Sequence, residues 1–208
     1  MEEHILKYTA IDFETATSKY TSICSVGLCV VENSKIIHQT EILVRPEPFE
    51  FSDYNITIHG ITPELVFNRF TFDHYWSEIK PYLENTLVIA HNTSFDINVL
   101  KSTLDMFNIP YPSFNYLCTV KLSQKAYPDF YSHKLNNLCS QLGISEFNHH
   151  NAKADAIACA KVFEHILSDF NLKSLSDIEN QFEIGIGTLY PGFHEPCKKN
   201  KNRKGVRI

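Results

Sequence analysis

Asp12 and Glu14 stand two residues apart in the apolar run 5–15, ILKYTAIDFET. As a β-strand, that run places Tyr8, Ala10, Asp12 and Glu14 on one face and Thr9, Ile11 and Phe13 on the other, so two carboxylates share a face. A D-x-E at a strand end is commonly a solvated edge, and alone it means little. Two further aspartates are harder to place in solvent. On a helix beginning at Ser94, Asp96 is followed at helical spacing by Val99, Leu100, Leu104 and Phe107, while Asn98, Lys101, Ser102 and Asp105 take the opposite side. Asp155 shows the same pattern more sharply, with Ala158, Cys159, Val162, Phe163 and Ile166 on its stripe and Lys153, Lys161, Glu164 and His165 away from it. A carboxylate turned toward a core costs several kcal/mol unless it is paired or liganded. Either aspartate singly could be satisfied as a cap or by a lysine. All four acids together point to a shared site where strand ends and positive helix N-termini meet.

The donor set is hard oxygen, and neither an HExxH segment nor a Cys/His cluster is present, so Mg²⁺ or Mn²⁺ fits better than zinc. Two such ions held by Asp12, Glu14, Asp96 and Asp155 suit phosphodiester hydrolysis, where they activate water and stabilise the leaving oxygen. His150 lies five residues before Asp155 and is preceded by His149. An imidazole near neutrality can take a proton from water, and the segment leading into the Asp155 helix leaves either ring able to swing over the site.

The elements that must position these residues follow from pattern. Two more apolar runs, Val26–Val31 and Lys35–Val44, meet across Glu32-Asn33-Ser34 and extend the first strand into an antiparallel meander. Arg45-Pro-Glu-Pro breaks it. Thr62-Pro63 predicts a short helix to about Asn68, and Thr71 to Leu83 a second, bent or ended by Pro81. Strand and helix then alternate: Leu87–Ala90 a strand, Ser94–Phe107 a helix, Tyr116–Val120 a strand, Lys134–Leu142 a helix ended by Gly143, and Ala152–Phe170 the longest helix. The class is α/β, a mixed sheet flanked by helices. Residues 1–170 form the principal domain. An extension over 171–197 holds one short helix, SLSDIENQF, before Gly185, Gly187, Pro191, Gly192 and Pro196 indicate irregular structure. The tail 198–208 is basic and reads as a disordered, solvated terminus rather than a nucleic-acid adhesive.

The 208 residues carry 19 Lys+Arg and 24 Asp+Glu. Six of the basic residues lie in 198–208, which leaves 13 against 24, or −11, for the remainder. Such a body repels nucleic acid unless cations intervene at the contact, which strengthens the case for metal. No apolar run approaches the roughly 18 residues of a membrane span, and the acidic start MEEHILKY is unlike a signal peptide, so a cytoplasmic protein is expected. The six cysteines (24, 29, 118, 139, 159 and 197) form no CxxC and read as reduced core fillers.

Four stretches in this order, Ile11-Asp-Phe-Glu-Thr15, His59-Gly-Ile-Thr62, His91-Asn-Thr-Ser-Phe-Asp96 and His150-Asn-Ala-Lys-Ala-Asp155, strongly resemble the DEDDh-type 3′→5′ exonucleases related to the DNA polymerase III epsilon subunit. The resemblance covers about residues 7–168. It implies an RNase H-like mixed sheet of five strands with the second antiparallel, two metal ions bound by Asp12, Glu14, Asp96 and Asp155, and release of nucleoside 5′-monophosphates from 3′ ends. It implies His150 as general base, because H-x-A-x-x-D fits His150, Ala152 and Asp155 and leaves His149 out of register. It further implies that Phe13 and Thr15 touch the 3′-terminal nucleotide and that His59 with Ile61 helps to hold its base or ribose, although Phe13 could be plain core and His59-Gly60 a simple turn. The partner implied is nucleic acid with a free 3′ end, DNA ahead of RNA, with a role in DNA replication and repair; a DNA polymerase partner and a stand-alone enzyme are equally compatible.

Three other readings compete with this one. The same chemistry on RNA or short oligonucleotides, as in the RNase T and oligoribonuclease groups, differs only in 2′-OH contacts that one sequence does not locate. A non-catalytic binding module of a larger complex would be expected to have lost at least one of the five key residues. A structural Ca²⁺ site lacks any D-x-D-x-D-G loop.

Overall fold

The alternation of the first apolar run is realised as an interior strand, paired on both sides. A computed structural model describes residues 7–145 and 148–199 of the chain. Here β1 (Lys7–Thr15) is followed by β2 (Ile23–Glu32) and β3 (Lys35–Leu43), an antiparallel meander. Asn33 and Ser34 turn the β2–β3 hairpin at φ 50° and 58°, the left-handed pair that matches strand twist. Next come α1 (Asp53–His59), α2 (Pro63–Val66) and α3 (Phe72–Leu83), then β4 (Leu87–Ala90), α4 (Thr93–Met106), β5 (Phe114–Cys118), α5 (Thr119–Ala126), α6 (Leu135–Gln141) and α7 (Ala152–Asp169). The chain continues through α8 (Leu175–Phe182), β6 (Ile184–Gly185), β7 (Gly187–Tyr190), β8 (Phe193–Glu195) and β9 (Lys198–Lys199).

The main sheet runs β3-β2-β1-β4-β5-β7-β8, with β4 parallel to β1 and β5 parallel to β4. Helices cover both faces, as a sheet with parallel central strands requires. On the Asp12 face, the Tyr8 ring meets Phe163 of α7 edge-on at 5.0 Å, and its hydroxyl donates to Glu164 at 2.7 Å. On the other, Thr9 Oγ1 donates to the Tyr82 carbonyl of α3 at 2.6 Å. Gly27, paired with Asp12 across β1–β2, is where α7 crosses: a Cβ there would fall on the Ala152 carbonyl, so its absence lets the first turn of α7 seat directly on β2.

The mixed sheet with flanking helices matches the sequence expectation, but it has seven strands, not five. The difference lies in the C-terminal segment, whose glycines and prolines mark turns of a hairpin instead of irregular structure. Gly187 enters β7 opposite Tyr116, whose ring occupies the space of a side chain there, and Gly192 turns into β8 at φ 79°. The short helix of that segment forms as α8, capped by Ser174 and Asp177. Lys198 and Lys199, assigned to the disordered tail, pair with Ile184 and Gly185; residues 200–208, like Ile5 and Leu6 of the first run, lie outside the described residues. The fifth strand begins two residues earlier than expected, and Thr119 and Val120 open α5, a helix the short run 116–120 did not betray; α1 was likewise unforeseen. All six cysteines are buried and unpaired. No helix among the described residues is long and apolar enough to cross a membrane.

Candidate active site

Asp12 and Glu14 leave the C-terminal half of β1 toward α7, and Asp155 reaches them from the first turn of that helix. Carboxylate oxygens of Asp12, Glu14 and Asp155 lie within 4.8 Å of one another. The helix is fixed by its cap. Asn151 accepts from the Ala154 N–H at 3.0 Å, and its amide donates to Glu41 of β3 at 2.9 Å, while Ser25 of β2 donates to the other Glu41 oxygen at 3.0 Å. Asp96 stands in the first turn of α4, 1% exposed, and takes an N–H from Phe13.

The charges are self-opposing. Burial, then the charges of Asp96, Asp155 and Glu14, push the Asp12 carboxyl well above the usual carboxylate range. Burial with Asp155, Asp96 and Glu41 pushes Glu14 up to about 8, and burial pushes Asp96 up to about 8 against the pull of backbone N–H groups. Asp155 is raised by burial and eased by His149. Asp96 Oδ1 is fully buried with no hydrogen-bond partner among the described residues. An orphaned carboxylate oxygen amid three other acids fits a divalent cation with hard oxygen ligands, which would satisfy the oxygen and neutralise the repulsion at once.

Both histidines are brought to the site. His149 Nδ1 contacts Asp155 Oδ1 at 2.7 Å, and the His150 backbone N–H donates to Asp155 Oδ2 at 2.8 Å. The His150 side chain is exposed, its backbone left-handed at φ 65°, and its ring stacks on His149 with centroids 3.9 Å apart. Burial and the neighbouring His149 lower its pKa, keeping it a neutral base near pH 7.

Asp12, Glu14, Asp155, His149 and His150 line a cavity of about 690 Å³, within the range of small-molecule sites, and Asp96 is buried behind its wall. Thr15, His59 and Ile61 are gathered beside it at the end of β1. His59 Nε2 donates to the Thr15 carbonyl at 3.2 Å, and its Nδ1 accepts from the Ile61 N–H at 3.0 Å. Ile61 packs with Ala16, Cys24 and Val66 in a small cluster of its own. Phe13 is 2% exposed in the main core, and it serves the site through its N–H to Asp96. The far wall, from His91 to the loop 131–134, was not foreseen. In the sequence His91 stands out only as part of its motif, and the polar string Tyr131-Ser-His-Lys134 has no periodicity to signal a role.

Comparison with known proteins places this geometry. The exonuclease family profile matches residues 9–163. A PolC-type DNA polymerase III of Thermotoga petrophila is 27% identical over 205 residues, covering 96% of this chain and 15% of the polymerase. The 3′-5′ exonuclease DinG of Staphylococcus aureus is 26% identical over 201 residues, 92% of this chain and 22% of its own length. The chain thus spans less than a quarter of these relatives. Among solved structures, exonuclease X in complex with 5′-overhanging duplex DNA superposes with a TM-score of 0.68 at 23% identity, covering 82% of this chain and 98% of that one. The nuclease domain of 3′hExo, a DEDDh family member bound to rAMP, gives 0.69 at 20% identity, with 81% and 95% covered. At these identities the structures establish a shared fold.

Proposed function

The chain belongs to the exonuclease family, and from that membership together with the site geometry we propose that it removes nucleoside 5′-monophosphates from the 3′ ends of single-stranded DNA. The observation that carries the reading is the buried, unpartnered Asp96 Oδ1 set against Asp12, Glu14 and Asp155. Two Mg²⁺ or Mn²⁺ ions held by Asp12, Glu14, Asp96 and Asp155 would supply Lewis-acid stabilisation and a nucleophile at neutral pH. His150 takes the proton of the attacking water, since its ring is exposed at the cavity, neutral, and free of any bond to Asp155. His149, bonded to Asp155, orients that carboxylate. Thr15, His59 and Ile61 seat the terminal nucleoside at the β1 end, and Phe13 holds Asp96 from behind.

DNA is favoured over RNA because one relative is a DNA polymerase and exonuclease X, which shares the fold, is seen in complex with duplex DNA. A DNA polymerase is the partner proposed on the same ground.

The test is incubation of the chain with 5′-labelled single-stranded DNA and matching RNA in Mg²⁺, Mn²⁺ or EDTA, beside Asp12→Ala. A metal-dependent ladder shortening from the 3′ end, faster on DNA and absent in the variant, is expected. Faster loss of RNA would reverse the substrate assignment, and no cleavage of either strand would leave a binding module in its place.

A further inference from the structure

The loop 131–134 lines the same cavity as Asp12, Glu14 and Asp155. We propose that this loop is a subsite for the nucleotide preceding the terminal one, with Lys134 binding its 5′-phosphate and Tyr131 stacking on its base; the assignment rests on the exonuclease reading above. Four carboxylates and a body of net charge −11 repel every phosphate of the strand except the one that bound cations hold. The next phosphate needs its own cation. Lys134 is the Lys or Arg that lines the cavity among the described residues; it is exposed and makes no ion pair with any of them. Tyr131 lines the same cavity with 76% of its surface exposed, the form of a stacking platform for a single-stranded base.

The loop is exposed yet anchored from both sides. From α6, Gln141 accepts the Tyr131 N–H at 3.1 Å and donates to the Ser132 carbonyl at 2.8 Å, and Asn137 donates to Ser132 Oγ at 3.0 Å. From the end of β4, His91 Nε2 meets the His133 carbonyl at 3.0 Å. A carbonyl only accepts, so Nε2 carries the proton. Burial holds His91 neutral, with its pKa lowered to about 4, so Nδ1 accepts from the Thr119 hydroxyl at 3.0 Å. His91 is therefore a positioning residue that fixes the loop to the same strand end from which α4 brings Asp96. The backbone that carries the Tyr131 ring and the Lys134 charge is pre-placed, which lowers the ordering cost of holding a flexible strand.

Three substrates separate this subsite from the reading it rests on. The p-nitrophenyl ester of thymidine 5′-monophosphate offers only the terminal nucleotide, dTpdT adds the preceding nucleoside, and pdTpdT adds that nucleoside's 5′-phosphate. In the wild type, kcat/KM should be about tenfold higher for pdTpdT than for dTpdT; Lys134→Gln should bring that ratio to about one, and Lys134→Arg should restore it. Tyr131→Ala should lower dTpdT relative to the ester by about tenfold, with Tyr131→Phe retaining the wild-type ratio. A wild-type ratio near one, or a ratio that survives Lys134→Gln, overturns the subsite even if all three substrates are cleaved. Failure of the wild type to cleave any of them overturns the exonuclease reading and the subsite with it.

Discussion

At the residue scale, the site is built from groups that are mutually unfavourable until a cation joins them. Asp12 is pushed far above its ordinary range by burial and by its acidic neighbours, so removing it takes away a ligand and a source of repulsion together. Asp12→Ala should abolish hydrolysis while metal-free thermal stability at pH 8 stays level or rises by a few degrees, the size of about 1 kcal/mol in a chain of this length. Retained turnover, or a large fall in melting temperature, would make Asp12 a structural residue. The histidines divide differently. His150→Ala should lower kcat by about 10²-fold or more while divalent ions still raise the melting temperature, and His149→Ala, which frees Asp155 Oδ1, should cost less in kcat. The opposite order would make His149 the base. The four acids were legible in sequence because each aspartate on an apolar helix stripe contradicts its surroundings. The bond between His149 and Asp155 was not, because it depends on a left-handed His150 backbone that no pattern encodes.

At the scale of elements, the site depends on how closely α7 lies on the meander. Two contacts set it: Gly27, which leaves room for the Ala152 carbonyl, and the Ser25–Glu41–Asn151 chain that ties β2 and β3 to the helix cap. Gly27→Ala puts a methyl group into backbone, which no rotamer change relieves, so the helix must lift and carry Asp155 with it. It should destabilise by about 1–3 kcal/mol in denaturant titration and lower kcat/KM by well over tenfold. A variant of wild-type stability and activity would show that α7 is not seated there. Val26–Val31 was readable as an unbroken apolar run, buried along its whole length, and the stripe of α7 because period-3.6 burial is written into the residues themselves. The β7–β8 hairpin was not. Gly187 and Gly192 look like breakers in isolation, and only the Tyr116 ring, distant in sequence, shows that one of them is a fitted strand position.

For the whole molecule, the raised carboxyls and lowered histidines make stability depend on pH in opposite senses, and the windows separate them. His91, with its pKa lowered to about 4, binds fewer protons folded than unfolded between about 4 and 6.5, so it makes stability rise with pH there. Glu14 and Asp96, each pushed up to about 8, hold protons in the folded state that the unfolded chain has released. Their stabilising protonation is present at low pH and is lost as pH climbs through about 8, so stability falls with pH in that range. Above about pH 7 the histidine contribution is flat and the carboxyls alone act. Thermal melts in EDTA should therefore decline from pH 7 to 9. A saturating divalent ion binds the folded, deprotonated cluster and adds RT ln(1 + [L]/Kd), a term that grows as protons cease to compete for the same oxygens. The cation-induced rise in melting temperature should accordingly be small at pH 5 and largest near pH 9. A metal-free profile that stays flat above pH 7, with an equal cation effect at both ends, would mean that the four acids do not form a shared metal centre, and it would remove the physical basis for assigning them to catalysis.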